Sequence, residues 1–162
     1  MDLILYEEEI RLLEEVLQRL RHDSNAKAVF LIDKNGQQMA AEGEVENFDT
    51  TSLASLTAGN VAATDSLAKL IGEREFSVLF HEGERDHIHI SIVAKRAILL
   101  VIFDERSSLG LVRLRVKRAS TEFDKIFETM AEKAATGGAG EMQAQTPFAE
   151  ITDDDIDALF SD

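Results

Sequence analysis

The stretch TSLASLTAGNVAATDSLAKLI, at residues 51–71, contains the pattern that decides the fold. Its larger apolar side chains recur every three or four residues, a spacing that places them on one side of an α-helix. These residues are Leu53, Leu56, Ala63, Leu67 and Leu70. The pattern therefore predicts a helix that turns this side toward the hydrophobic core.

The opposite side of the same helix carries small residues where a solvated helix usually carries Lys, Glu or Arg. These residues are Ala54, Ala58, Val61, Ala62, Asp65 and Ser66. Small side chains let another helix approach closely, and an uncovered, uncharged strip is typical of an interface. We therefore predict a docking surface here, with a helix enclosed inside its own domain as the alternative.

The ends of this helix are also marked in the sequence. Asp49, Thr50 and Thr51 offer side-chain oxygens to the unpaired N–H groups of the first turn, and Gly72 suits a left-handed C-terminal position. Gly59 and Asn60 are poor helix formers in its middle. Their presence predicts a packing or docking role for this pair.

The segment before this helix predicts one helix and two strands. Residues 5–21 have apolar residues at helical spacing, and HDSNA at residues 22–26 ends the pattern. The apolar run at residues 28–32 predicts a strand, and Asn35-Gly36 predicts a hairpin turn, since both residues tolerate positive φ. Residues 37–41 would form the returning strand.

Three more strands are predicted after the helix, at residues 75–80, 87–94 and 97–103. Gly83 and the pair Lys95-Arg96 would lie in the turns between them. The last strand is continuously apolar, which predicts a central strand covered on both faces. The strand before it alternates polar and apolar residues, which predicts one exposed face bearing its two histidines and a serine. These residues are His87, His89 and Ser91.

Helical periodicity returns from residue 107 to about residue 133, with Ser107 or Ser108 as the N-cap. The first half of this third helix carries the densest basic cluster of the chain. Its members are Arg113, Arg115, Lys117 and Arg118. The cluster indicates either an ordinary solvated face or a surface that attracts an acidic partner.

The C-terminal part of the chain has a different composition. Residues 134–145 are small and Gly-rich, which predicts a flexible linker after a domain at residues 1–133. Residues 146–162 are acidic, and Ile156, Leu159 and Phe160 would form a small apolar face on a helix. This segment is predicted to fold when it binds a partner, with a disordered tail as the alternative.

Composition narrows the classes of function. The 162 residues suit one domain with a tail, and the net charge of −14 disfavours nucleic acid as a partner. The absence of cysteine excludes disulfides and thiolate chemistry. No signal-peptide pattern or membrane-length apolar run occurs, so membrane insertion is not expected and a cytoplasmic location is predicted.

Catalytic motifs are also missing from the sequence. There is no phosphate loop, H-E-x-x-H zinc motif, nucleophile elbow or dinucleotide fingerprint, so we predict no active site, cofactor or metal. His87 and His89 could hold a metal only with a third ligand that the sequence does not offer nearby. A solvated or edge-facing pair is the simpler interpretation.

The order helix, two strands, helix, three strands, helix resembles the roadblock/dynein light chain family. The segments that carry the resemblance are FLIDKNGQ, DTTSLASLTAGNVAATDSLAKLIGE, FHEG, VIFDERSSLGLVRLRVKRAS and PFAEITDDDIDALF. They are similar to the bacterial gliding-motility branch of that family. The resemblance implies an α/β (α+β) domain with a five-stranded, mostly antiparallel sheet and three helices.

The resemblance also implies a function. It implies a homodimer, formed by the central helices and the strand near residues 75–82, that binds a small Ras-like GTPase of the MglA type. Two regulator subunits would bind one GTPase, stimulate GTP hydrolysis without an arginine finger and act in cell polarity, at the cell pole. By position, the partner contacts would be Ala58, Ala62 and Ser66, with Arg113 and Arg115 as steering residues and Ile156, Leu159 and Phe160 in the tail. A dimeric adaptor without effect on hydrolysis, or a ligand-sensing module, are the alternatives.

Overall fold

The computed structural model describes residues 7–135. The elements are α1 (Glu7–Ser24), β1 (Ala28–Asp33), β2 (Gln38–Gly43), α2 (Thr50–Leu70), β3 (Val78–Glu82), β4 (His87–Val93), β5 (Ala97–Phe103) and α3 (Leu109–Ala135). This order confirms the prediction. The compact unit that contains all five strands ends at Ile126, and the remaining residues of α3 belong to a second unit.

The five strands form one sheet in the order β2-β1-β5-β4-β3. Each neighbouring pair is antiparallel. Every residue of β5 is buried, because this strand lies in the middle of the sheet with helices on both faces. The prediction of a central, doubly covered strand is therefore confirmed, whereas β3 is an edge strand whose outer backbone groups have no partner strand within residues 7–135.

The first hairpin, between β1 and β2, is confirmed. Asp33 Oδ1 accepts hydrogen bonds from the backbone N–H groups of Asn35 and Gln37, each at 2.9 Å. Only Gly36 adopts a positive φ, +92°, whereas the prediction allowed it for Asn35 as well. β2 begins and ends slightly later than the predicted residues 37–41, because this turn reaches Gln37.

The other two hairpins differ from the prediction in their limits. β3 covers Val78–Glu82 rather than residues 75–80. The turn between β4 and β5 is centred on Ala94 and Lys95, with φ of 54° and 59°, and Arg96 N–H donates to Val93 O at 3.1 Å. The predicted turn at Lys95-Arg96 was therefore one residue late, because the sequence has no Gly or Asn to mark a left-handed pair.

Helices α1 and α3 extend beyond their predicted C-terminal limits. α1 continues to Ser24, since Ser24 Oγ donates to Leu20 O at 2.6 Å and Asn25 takes the left-handed position that ends it. Ser108 is the N-cap of α3, because its Oγ accepts from Leu111 N–H at 3.2 Å, while Ser107 Oγ donates to Ser24 O. Residues 134 and 135, placed in the linker by the prediction, are helical.

The two faces of the sheet have different covers. Phe30, Ile90 and Leu100 project into a core shared with α2, whereas the intervening residues of the same strands face the other side, covered by α1 and α3. His89, which alternates with Ile88 and Ile90, is only 2% exposed on that other side. The predicted exposed polar face of β4 is therefore wrong, because α3 covers it.

Candidate partner-binding surfaces

The central helix α2 is fixed at both ends as the sequence predicted. Asp49 is the N-cap: its Oδ1 accepts from Ser52 N–H at 3.2 Å and its Oδ2 from Ser52 Oγ at 2.7 Å. These hydrogen bonds, the side-chain bond first, lower the pKa of Asp49. At the other end Ile71 is the C-cap, and Gly72 follows with φ of +83°.

The two sides of α2 are the reverse of the prediction. The small side packs on the sheet, with Ala54, Ala58 and Val61 in the shared core. The later leucines point away from it, with Leu56 73% exposed and Leu70 83% exposed, whereas Leu53 packs partly buried against the core. The outward stripe of α2 is the row of apolar residues on this exposed side. It consists of Leu56, Gly59, Ala63, Leu67 and Leu70.

Close contact with the β1–β2 turn explains the reversal. A Cβ added to Gly36 would lie 3.2 Å from Ser55 Cα and 3.5 Å from Ala58 Cβ, so the turn touches the helix backbone. The sheet side of this core is already filled by large residues such as Phe30 and Leu100. Small residues on α2 are needed to fill the remaining space at close-packed density.

The reversal changes the position of the predicted α2 contacts. Ala58 is 9% exposed and packs against the sheet, which leaves it outside the exposed side of α2. Ala62 and Ser66 are exposed. At about 100° per residue, both lie on the flank of the outward stripe that faces away from Asn60.

Exposed large apolar residues are concentrated on α2 and β3. Eight such residues are found among residues 7–135, and six of them belong to α2, its C-cap or β3. The six are Leu56, Leu67, Leu70, Ile71, Val78 and Phe80. An apolar area of this kind beside a strand edge without a partner is typical of a subunit interface.

Of the two poor helix formers in α2, Asn60 has a contact within the fold and Gly59 faces open space. Asn60 Nδ2 lies 3.2 Å from His81 Nε2, which connects α2 to the edge strand β3. Gly59 lies on the outward stripe, where an added Cβ would meet no atom within 4 Å. The absence of a side chain there lets another backbone approach α2 closely.

The basic residues of α3 lie on the opposite side of the sheet from α2. Arg113 is exposed, and its charge reaches His89 on the face away from α2. Burial lowers the pKa of His89, and the positive charge of Arg113 lowers it further. Arg115 is half-buried, and its Nε has no hydrogen-bond partner within residues 7–135. The structure therefore does not bring Arg113 and Arg115 together with Ala62 and Ser66.

The sequence analysis also made predictions about metal sites, membrane-spanning helices and the C-terminal segment. Within the described part of the chain, no three His, Asp or Glu side chains are placed to hold a metal ion. None of the helices there is long and apolar enough to cross a membrane. Ile156, Leu159 and Phe160 lie outside the described residues.

Comparison with known proteins gives the family. The model of the Roadblock/LC7 domain matches residues 12–103, more than half of the chain. This chain belongs to the Roadblock/LC7 family. Within the family it is similar to solved MglB structures: Myxococcus xanthus MglB is 59% identical, with a TM-score of 0.75, and the match covers 79% of this chain and 96% of that one.

Two further MglB structures agree with this roadblock assignment. Gliding protein MglB from Thermus thermophilus is 36% identical, with a TM-score of 0.74 over 79% of this chain and 97% of that one. An MglB with a tetrameric arrangement is 34% identical, with a TM-score of 0.74 over 80% and 97% of the two chains. The roadblock fold predicted from the sequence is thus confirmed.

Helical periodicity alone did not reveal the outward-facing stripe. A helix with large residues on one side and small residues on the other gives no indication of which side meets the sheet. The relevant signal was Gly36, because a glycine in a hairpin turn can mark a close backbone approach. Val78 and Phe80 of β3 were not singled out either, although the strand near residues 75–82 was expected to join two subunits.

Proposed function

We propose that this roadblock protein is a homodimeric GTPase-activating regulator, which binds a small Ras-like GTPase of the MglA type and controls cell polarity and gliding motility. The observation that carries the proposal is the 59% identity with Myxococcus xanthus MglB over 79% of this chain. The exposed apolar surfaces of α2 and β3 support it independently.

The dimer would form through the outward stripe of α2 and the free edge of β3. Two antiparallel copies of β3 can pair their open backbone groups, which extends the sheet across both subunits. The same association covers Leu67, Val78 and Phe80. Gly59 would allow the two α2 helices to approach closely at their crossing point.

The GTPase would contact α2 beside this interface. Ala62 and Ser66 are exposed on the flank that β3 does not occupy, so they stay accessible when the edge strands pair. Residues 146–162, through Ile156, Leu159 and Phe160, would supply a second contact. Arg113 and Arg115 would act only by long-range attraction, since α3 lies on the other side of the sheet.

Activation would proceed without an arginine from this protein. α2 carries no arginine, and Lys69 is its only basic residue. A surface of small and apolar residues can select one conformation of a GTPase switch but cannot neutralise charge on a transferring phosphoryl group. The proposed role is therefore to stabilise the arrangement in which the GTPase's own catalytic groups are aligned.

Single-turnover GTP hydrolysis by the MglA-type GTPase, with and without this protein, tests the proposal. The full chain should raise the hydrolysis rate, and a chain that ends at Gln145 should show whether residues 146–162 are needed. A stable complex whose hydrolysis rate is unchanged would instead identify a dimeric adaptor. Absence of both binding and stimulation would refute the proposed partner.

A further inference from the structure

We infer that the outer side of α3 is a second docking surface, which binds an acidic amphipathic peptide segment of a partner protein. The α3 basic surface consists of Arg113, Leu114, Lys117 and Arg118. This function goes beyond the proposed contact with a GTPase, because the surface lies across the sheet from α2. Both surfaces could therefore be occupied at the same time.

The α3 basic surface combines one exposed apolar side chain with basic side chains on the same side of the helix. Leu114 is 61% exposed, and Lys117 and Arg118 follow it by three and four residues, so all three lie on one side of the helix. The core side of the same turns is formed by Val112 and Val116, which are buried. The exposed Leu114 is thus flanked by the exposed cations Arg113, Lys117 and Arg118 on one side of a single helix.

The charges of this surface are not neutralised by ion pairs within residues 7–135. Residues 109–121 contain four basic residues and no acidic one, in a chain with a net charge of −14. The ion pairs found within residues 7–135 use Arg19, Lys27 and Arg106, and none uses a member of the α3 basic surface. The described part of this acidic chain thus has a cationic surface without ion pairs next to an exposed leucine.

This combination favours an acidic peptide as the ligand. Carboxylates on the peptide would pair with Arg113, Lys117 and Arg118, while one or two apolar side chains would cover Leu114. A long polyanion such as nucleic acid would meet the repulsion of the whole acidic molecule. A short acidic peptide places its negative charge only at the cationic surface. It therefore avoids most of the repulsion by the acidic residues elsewhere on this protein.

The test is a titration of the full chain with a fluorescent peptide of the required chemistry. EITDDDIDALF, the sequence of residues 150–160, has both the acids and the apolar residues and serves as the probe. Fluorescence anisotropy should show binding that weakens as salt rises from about 50 to 200 mM. The double variant Lys117→Glu/Arg118→Glu should weaken binding about tenfold or more, and Leu114→Ser should weaken it severalfold.

Matched controls separate this surface from general charge effects. Lys69→Glu/Arg74→Glu makes the same change in net charge at exposed positions away from α3 and should leave the affinity unchanged. A peptide with Asn at every Asp position should bind weakly. Circular dichroism and thermal melting of each variant establish that it is folded.

Three results would overturn the inference. The first is no binding of the peptide to the folded full chain. The second is equal loss of affinity in the Lys117→Glu/Arg118→Glu variant and in the matched control. The third is a Lys117→Glu/Arg118→Glu variant that binds peptide normally but changes its oligomeric state in sedimentation, because a second copy of the chain would then be the occupant.

Discussion

Single residues decide how closely α2 approaches the sheet. Gly36 has a positive φ of +92°, and a Cβ added to it would lie 3.2 Å from Ser55 Cα. An alanine there would have to adopt the left-handed region and also displace the helix backbone. Gly72 also has a positive φ, +83°, but a Cβ added to it would meet no atom within 4 Å.

We therefore expect Gly36→Ala to destabilise the fold more than Gly72→Ala. The left-handed conformation costs an L-residue about 1–2 kcal/mol, and both variants incur this cost. Gly36→Ala should lose about 1 kcal/mol more, because of the contact with Ser55. The free energy of unfolding in urea gives the comparison, and equal losses would contradict the close approach.

His89 gives a pH dependence whose sign follows from its environment. Its pKa is lowered from about 6.5, first by burial and then by Arg113, so the folded state resists protonation. As the pH falls below about 6.5, the unfolded chain takes up a proton that the folded chain excludes. Stability is therefore full above this pH and declines below it, by at most about 1.4 kcal/mol per pH unit from this group.

Replacing the histidine should remove that part of the acid sensitivity. We expect the unfolding free energy of His89→Leu to change less between pH 7.5 and 5.5 than that of the original chain. His22→Gln alters an exposed histidine and serves as the control, with the original pH dependence. A His89→Leu variant as acid-sensitive as the original would show that other groups carry the effect.

At the scale of elements, α2 and β3 together form the exposed apolar surface. Leu67 lies on the outward stripe, and Leu114 of α3 is a similarly exposed leucine on the other side of the sheet. The two leucines thus allow the same substitution to be compared at the proposed interface and away from it.

We expect Leu67→Glu to dissociate the dimer and Leu114→Glu to leave it intact. A buried, unpaired carboxylate in the interface should weaken dimerisation by at least about thirtyfold. Analytical ultracentrifugation over a range of concentrations measures the change. An intact dimer in the Leu67→Glu variant, or dissociation by Leu114→Glu alone, would move the interface away from α2.

The elements were predictable because their signals are local. Asp49 and Gly72 mark the ends of α2, and the unbroken apolar run of β5 marks the centre of the sheet. The orientation of α2 was not predictable in the same way, since it depends on the long-range contact of Gly36 with Ser55. The burial of His89 similarly depends on α3, which lies in a distant part of the sequence.

At the scale of the whole molecule, the sheet separates two surfaces with different chemistry. The α2 side is mainly apolar, with Asp65 and Lys69 as the charged residues next to Ala62 and Ser66, whereas the α3 side carries Arg113, Lys117 and Arg118. The sequence analysis assigned Ala62, Ser66 and Arg113 to one partner and treated Lys117 and Arg118 only as members of a basic cluster. Only the placement of α2 and α3 on opposite faces shows that they belong to separate surfaces.

The most direct measurement is single-turnover GTP hydrolysis by the MglA-type GTPase with three forms of this protein. The original chain and Lys117→Glu/Arg118→Glu should both accelerate hydrolysis, because the α3 basic surface is remote from α2. Ala62→Arg should remain a folded dimer but lose the acceleration, since it places a long charged side chain on the proposed contact. Full acceleration by Ala62→Arg, or none by the original chain, would contradict the assignment of GTPase activation to α2.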